Sequence, residues 1–304
     1  MSRKIPARPI GGFPEQAYHF NLKKFIQQAL LEDVGDGDHS SLSCIPINTK
    51  SKAKLLVKEN GIIAGVELAQ YIFKQIDTKI KIKNFIRDGS IVKYGDIVFT
   101  VEGSAQSILK AERLVLNCMQ RMSGIATYTN KLVQLCSGTK TKILDTRKTT
   151  PNLRGLEKWA VVIGGGVNHR IGLYDMIMLK DNHIDYAGGI QKAIESANDY
   201  LKKKILPTRK AGKKLKIEIE TRSIAEVKQV LATGKINRIM LDNFSISDTK
   251  KAVALIKGKY EIESSGGITE KTIRSYAMCG VDFISVGALT HSVKSIDLSL
   301  KAIK

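Results

Sequence analysis

The stretch DTRKTTPNLR, Asp145 to Arg154, sets Arg147, Lys148 and Arg154 beside a single acid and three threonines. It follows the apolar run TKIL, so its cations emerge where a buried strand ends. Other apolar runs stop in the same manner. MIML runs into Lys180, Asp181, Asn182 and His183; LKIEI carries Glu218 and reaches Glu220; INRIML ends at Asp242 and Asn243. YEIE is followed by Ser264, Ser265, Gly266 and Gly267, and VDFISV by Gly287 and Ala288. Between the first two runs lies VVIGGGVNHRIGLYD, with Asn168, His169 and Arg170. Any one of these charges is by default a solvated surface group. Like charges crowded together repel unless an anion sits among them, so the cluster predicts an anionic ligand.

The two glycine turns, SSGGI and SVGALT, each precede a helical stretch. Glycine lets backbone N–H groups approach a phosphate closely, and a helix N-terminus adds favourable dipole charge. A lone SGG is a common turn; two on consecutive strands favour phosphate. Glu220 and Asp242 have two readings: they pair with the neighbouring cations, or they hold a hard cation such as Mg²⁺ through oxygen. Other chemistries lose support. EDVGDGDHSS is acidic, but an EF-hand starting at Asp33 would need ligands where Gly35, Gly37 and Cys44 stand, so it reads as a turn. His169 and His183 lack zinc-site spacing, and neither a GxSxG elbow nor a GxxxxGK[ST] loop occurs.

The elements that position these residues follow from the patterning. Six short apolar runs from about residue 140 onward, spaced by helix-length segments, predict a parallel sheet in a (β/α) barrel, whose chemistry lies at the strands' C-terminal ends. The preceding chain reads as an α+β module. It has a helix over Leu22–Leu31, strand-like runs at 53–59, 61–67, 80–83 and 96–103, and a long helical pattern from Ser104 to Leu135.

Length and composition agree with an ordinary globular protein: 304 residues, 43% hydrophobic and 26% charged. There is no apolar run of the ~20 residues a membrane helix needs. The basic N-terminus lacks an apolar h-region, so no secretory signal is read there. Cys44, Cys118, Cys136 and Cys279 are scattered without CxxC spacing, which fits a reducing cytoplasm. The net charge of +20 points toward a polyanion. Eight of the cations, however, fall in KKKILPTRKAGKKLK, residues 202–216, which reads as a solvated insert without aromatics for base stacking. Nucleic acid is therefore an unlikely partner.

DTRKTTPNLRGLEKWAVVIGGGVNHRIGLYD and LKDNHI, with EDVGDGDHSS, ERLVLNCMQRMSGIAT, IEIE, IMLDN, SSGGI and ISVGALTHS, closely resemble the quinolinate phosphoribosyltransferase family. The resemblance covers most of the chain, in the family's order. It implies an N-terminal α/β sandwich module over residues 1–120, joined by a C-terminal helical segment at 290–304, and an incomplete (β/α) barrel over 121–289. It implies a homodimer, and transfer from phosphoribosyl pyrophosphate to quinolinate with decarboxylation, using Mg²⁺. Arg147, His169, Arg170 and Lys180 would surround the quinolinate carboxylates, with Lys148 near the reacting centre and Arg113 arriving from the partner subunit. Glu220 and Asp242 would face the ribose and its metal-bound pyrophosphate, while Ser265, Gly266, Gly267, Gly287 and Ala288 would cradle the 5′-phosphate. The insert at 202–216 and the ATGKIN segment, one residue longer than the family's, flank the Glu220 strand and keep Glu218 as the alternative there. A barrel-type paralogue linked to molybdate transport shares much of this framework.

Overall fold

The computed structural model describes residues 20–203 and 215–303. The reading of the N-terminal start falls on residues 1–19, and most of the basic insert on 204–214; both lie outside the described residues. The chain divides into two compact units, one of Met1–Asn130, Lys148–Gly165 and Ala288–Lys304, the other of Lys131–Arg147 and Gly166–Gly287.

The elements, in chain order, begin with α1 (Leu22–Val34), α2 (His39–Cys44), β1 (Lys50–Val57), β2 (Gly61–Ile62), α3 (Val66–Ile76), β3 (Lys81–Asn84), β4 (Ile91–Val92), β5 (Ile97–Ser104) and α4 (Ala105–Leu135). The first unit also takes in α5 (Arg154–Ile163), α11 (Ala288–His291) and β12 (Leu298–Ala302). Its sheet is antiparallel in the order β12-β1-β5-β3. Strand alternation sends Leu55, Val57, Phe99, Val101, Leu298 and Leu300 to the core face. There Phe73 of α3 meets Phe99 edge to face, with ring centroids 6.2 Å apart.

Two expectations are corrected in this unit. GIIAGVE is a strand only at Gly61–Ile62, and α3 begins at Val66. Gly65 turns left-handed there (φ 93°), and the Asp88 carboxylate accepts the Val66 and Glu67 N–H groups at 2.9 and 3.2 Å, capping the helix from a distant loop. The 290–304 segment is not helical: after α11 ends at His291 it enters β12. Leu298 and Leu300 alternate with Ser299 and Lys301, and pairing with β1 outweighs the weak local preference of LSLKA.

The second unit holds β6 (Lys142–Leu144), β7 (Ile177–Leu179), α6 (Asp181–Ala187), α7 (Ile190–Lys203), β8 (Ile217–Thr221), α8 (Ile224–Thr233), β9 (Arg238–Asp242), α9 (Ile246–Ile256), β10 (Glu261–Ser265), α10 (Ile273–Ala277) and β11 (Phe283–Ser285). These six strands are parallel in the order β6-β11-β10-β9-β8-β7. β6 and β7 are its two edges, so the α/β barrel is incomplete. Helix starts follow the sequence: Ser223 and Ser245 cap α8 and α9, accepting from the N–H groups of Glu226 and Asp248.

Candidate active site

The C-terminal ends of the second unit's strands carry a rim of charge above a buried layer of acids. β6 leads into Asp145, fully buried, whose carboxylate accepts the His169 N–H at 2.9 Å. The returning chain is tied to the same strand by Val167 N–H to Ile143 O, 2.8 Å, which sets His169 and Arg170 beside the end of β6. Arg170 is 6% exposed and its Nη1 donates to the Met176 carbonyl at 3.4 Å. Burial, and then the charge of Arg147, hold its guanidinium below the ordinary arginine value. The fold thus keeps two guanidiniums close enough to repel, one of them desolvated. Such a pair is preorganised for an anion.

Across the sheet, Lys180 Nζ lies 2.9 Å from Glu220 Oε2, joining the ends of β7 and β8. His183 sits on α6, and its Nδ1 accepts the Lys180 backbone N–H at 3.1 Å. At the end of β9, Asp242 accepts from Asn243 Nδ2 at 2.7 Å. The β10 turn is glycine by necessity. Gly266 (φ 91°) places its would-be Cβ 2.2 Å from Asn243 Oδ1, and Gly267 (φ 60°) faces open space, where a ligand can approach the backbone. Ser265 and Gly287 stand at the ends of β10 and β11. Arg113, Lys148 and Ala288 belong to the first unit; Arg113 and Lys148 are exposed there.

Glu218 and Glu220 lie two residues apart on β8, hence on one side of the strand, and Glu218 is one layer deeper. Glu218 meets His169 Nε2 at 3.0 Å, and Glu263 of β10 lies 3.5 Å from the same nitrogen. Arg238 completes the layer, donating to Glu263 at 2.9 Å and to Glu261 at 3.2 Å, its guanidinium 4.0 Å above the Phe283 ring. His169 lies at the junction of this layer and the rim: its Nε2 faces the two buried acids and its Nδ1 accepts the Arg170 N–H at 2.7 Å.

Burial alone would lower the His169 pKa, but the charges of Glu263 and Glu218 push it up to about 10. The Arg170 N–H aimed at Nδ1 favours the opposite, a neutral ring protonated on Nε2, with the extra proton on Glu218, whose burial raises its carboxyl. Both descriptions leave the same count: one proton held by the His169–Glu218 pair at neutral pH. The ligand atoms of His169, Glu218 and Glu263 lie within 4.8 Å of one another, close enough for a metal ion. Charge favours the proton instead. With Arg238 present, one proton makes the buried layer neutral, whereas a divalent ion would leave it net positive.

Glu263 and Arg238 were missed from sequence. The signal was present: charged residues inside strands that otherwise read as apolar runs, as buried parallel strands do. A groove at the opposite ends of the strands, lined by Lys140, Lys216, Lys259, Glu261 and Asp282, pairs Lys140 with Asp282 and Lys216 with Glu261.

Comparison with known proteins adds to the geometry. Residues 38–123 match the model of the quinolinate phosphoribosyl transferase N-terminal domain, and residues 125–301 that of its C-terminal domain. The chain is 47% identical, over 297 residues (93% of this chain, 82% of the other), to a Nicotiana tabacum protein named quinolinate phosphoribosyltransferase (decarboxylating) 1b. It is 39% identical over 282 residues (93% of each) to a Bacillus subtilis protein named probable nicotinate-nucleotide pyrophosphorylase (carboxylating). The solved nicotinate-nucleotide pyrophosphorylase from Francisella tularensis superposes with a TM-score of 0.84 at 40% identity, covering 93% of this chain and 96% of that one.

Proposed function

The chain belongs to the quinolinate phosphoribosyltransferase family, and from that premise we propose how its strand-end rim carries out the family's reaction. The enzyme transfers a phosphoribosyl group from phosphoribosyl pyrophosphate to quinolinate with decarboxylation, giving nicotinate mononucleotide, pyrophosphate and CO₂ in de novo NAD biosynthesis.

The observation that carries the site assignment is the Arg147–Arg170 pair, an exposed guanidinium whose charge acts on a buried one, which a dicarboxylate would neutralise. Arg147, His169, Arg170 and Lys180 surround the quinolinate carboxylates, the two arginines through paired forks. Glu220 and Asp242 face the ribose, where their charge stabilises the oxocarbenium-like centre formed as pyrophosphate departs. Their oxygens suit Mg²⁺: two carboxylates at the ends of adjacent strands, with only one Glu220 oxygen taken by Lys180. Bound there with the pyrophosphate, the cation supplies neutralisation of the leaving group's charge. Ser265, Gly266, Gly267, Gly287 and Ala288 receive the 5′-phosphate, and Lys148 stands at the reacting centre. Once ribosylated, the pyridine nitrogen is cationic and stabilises the carbanion left by the departing carboxylate, so the protein chiefly positions and neutralises. The assembly is a homodimer with Arg113 reaching the partner's pocket, in the cytoplasm. Among the described residues no helix is long and apolar enough to cross a membrane.

The test is turnover of quinolinate and, in parallel, nicotinate, with phosphoribosyl pyrophosphate and Mg²⁺. Product from quinolinate alone, abolished by chelation, is the expected result. Equal use of nicotinate would overturn the dicarboxylate clamp, and chelator-insensitive turnover would overturn the metal assignment.

A further inference from the structure

The loop that carries Lys148 is held at three successive residues, all within the first unit. Thr290 Oγ1 donates to the Lys148 carbonyl at 2.7 Å. Arg154 Nε donates to Thr149 Oγ1 at 2.9 Å. Thr150 donates its N–H to Glu157 Oε2 at 3.0 Å and its hydroxyl to Oε1 at 2.9 Å. Glu157 is fully buried on α5 and is gripped by Arg121 through Nε and Nη2, at 3.1 and 2.8 Å. Arg121 in turn donates to the carbonyls of Thr290 and Val293.

Thr290 is the node of this network. It is fully buried, its hydroxyl holds the Lys148 carbonyl, and its own carbonyl accepts Arg121. It also sits on α11, which starts at Ala288 in the phosphate turn. One short helical segment therefore bears both an expected phosphate contact and the hydrogen bond that fixes the backbone of Lys148.

We propose that Thr290 is a positioning residue that couples seating of the 5′-phosphate at Gly287–Ala288 to placement of Lys148 at the reacting centre. The inference rests on the roles assigned above to Lys148 and the phosphate turn. Lys148 is exposed on a loop without regular structure. Its carbonyl needs an external donor, and Thr290 supplies that donor from the element that would feel the phosphate. The Arg121–Glu157 pair is the rigid back wall; breaking it would leave an uncompensated buried charge, so Thr290 is the informative position.

The experiment is single-turnover product formation with Thr290→Val, Thr290→Ser, Lys148→Ala and the Lys148→Ala/Thr290→Val double variant, alongside quinolinate affinity by calorimetry. Thr290→Val keeps the branched shape and loses the donor. Its chemical step should slow about tenfold or more, since small misplacements of a reacting group are costly. Its quinolinate affinity should stay within about twofold, because the ground-state carboxylate clamp is untouched. Thr290→Ser should restore the rate. On the Lys148→Ala background Thr290→Val should add nothing, because both changes act through one group. Losses that multiply in the double variant, or a Thr290→Val enzyme at the wild-type rate beside a crippled Lys148→Ala, would overturn the inference. A Lys148→Ala enzyme at the wild-type rate would instead remove the reading beneath it. If Thr290→Val fails to fold, Thr290→Ala replaces it with the same expectations.

Discussion

Arg147 and His169 sit at opposite ends of the cost of charge. Arg147 is exposed, so Arg147→Ala removes no core packing, and it relieves the repulsion felt by Arg170. Thermal stability should hold or rise slightly. The fall in kcat/KM for quinolinate should be about 10- to 100-fold, the worth of one or two charged hydrogen bonds. Wild-type turnover by a folded Arg147→Ala protein would remove Arg147 from the site. His169 also bears on stability. Its pKa is raised to about 10 in the folded protein, against about 6.5 in the unfolded chain. The folded state therefore binds the extra proton more tightly, and the benefit is complete below pH about 6.5. It fades as pH rises toward 10, at no more than about 1.4 kcal/mol per pH unit for one proton. Denaturant midpoints from pH 7 to pH 9.5 should decline accordingly. In His169→Asn that alkaline slope should flatten; an unchanged slope would place the titration elsewhere.

The β10 turn shows what an element must supply before its residues can act. Gly266→Ala would drive a Cβ into Asn243 Oδ1, 2.2 Å away, in a left-handed backbone, so it should cost about 2 kcal/mol or more in stability. Gly267→Ala meets nothing within 4 Å and carries only the backbone penalty, about 1 kcal/mol. If this turn cradles the phosphate, Gly267→Ala should still raise the KM for phosphoribosyl pyrophosphate, because its Cβ would enter the ligand's space. A Gly267→Ala enzyme with unchanged KM would move the phosphate off this turn. The β10 strand and its turn were legible in sequence because a buried parallel strand is an apolar run and a strained turn demands glycine. Glu220 at the rim was legible for the same reason, as the polar stop of LKIEIE. What escaped depends on distant chain. β12 is a strand through pairing with β1, about 250 residues earlier, and LSLKA alone carries no such information. The deep layer also escaped: nothing local says that Glu218, Glu263 and Arg238 converge on His169, because the sheet order that joins them is a property of the whole fold.

At the scale of the whole molecule, the charge of +20 exceeds what the active site uses. Part of it is organised on the outer face of the first unit's sheet. Directly opposed residues share a face, so the register puts Lys301, Lys54, Thr100 and Lys83 in one row. Lys52, Glu102 and Lys81 form the next, with Lys50 beyond. Six lysines thus share that face with Glu102, which lies 4.0 Å from Lys52. Lys54 directly opposes Lys301, an arrangement that weakens a sheet. Two copies of this face would repel, so the proposed dimer must use another surface. The face lacks arginine forks and stacked aromatics, which means it attracts polyanions without reading them. We expect weak, sequence-indifferent binding to single-stranded RNA. With about five net charges engaged, the salt slope is about −3.5, so affinity should fall about 100-fold between 50 and 200 mM salt. Reversing Lys52, Lys54 and Lys301 to glutamate should abolish binding by this face and leave quinolinate turnover intact. Binding that survives the reversal but disappears on deletion of residues 202–216 would assign it to the insert. Tight, sequence-selective binding that survives both changes would mean that the net charge serves a second function, and that the unlikely partner named from sequence is a real one.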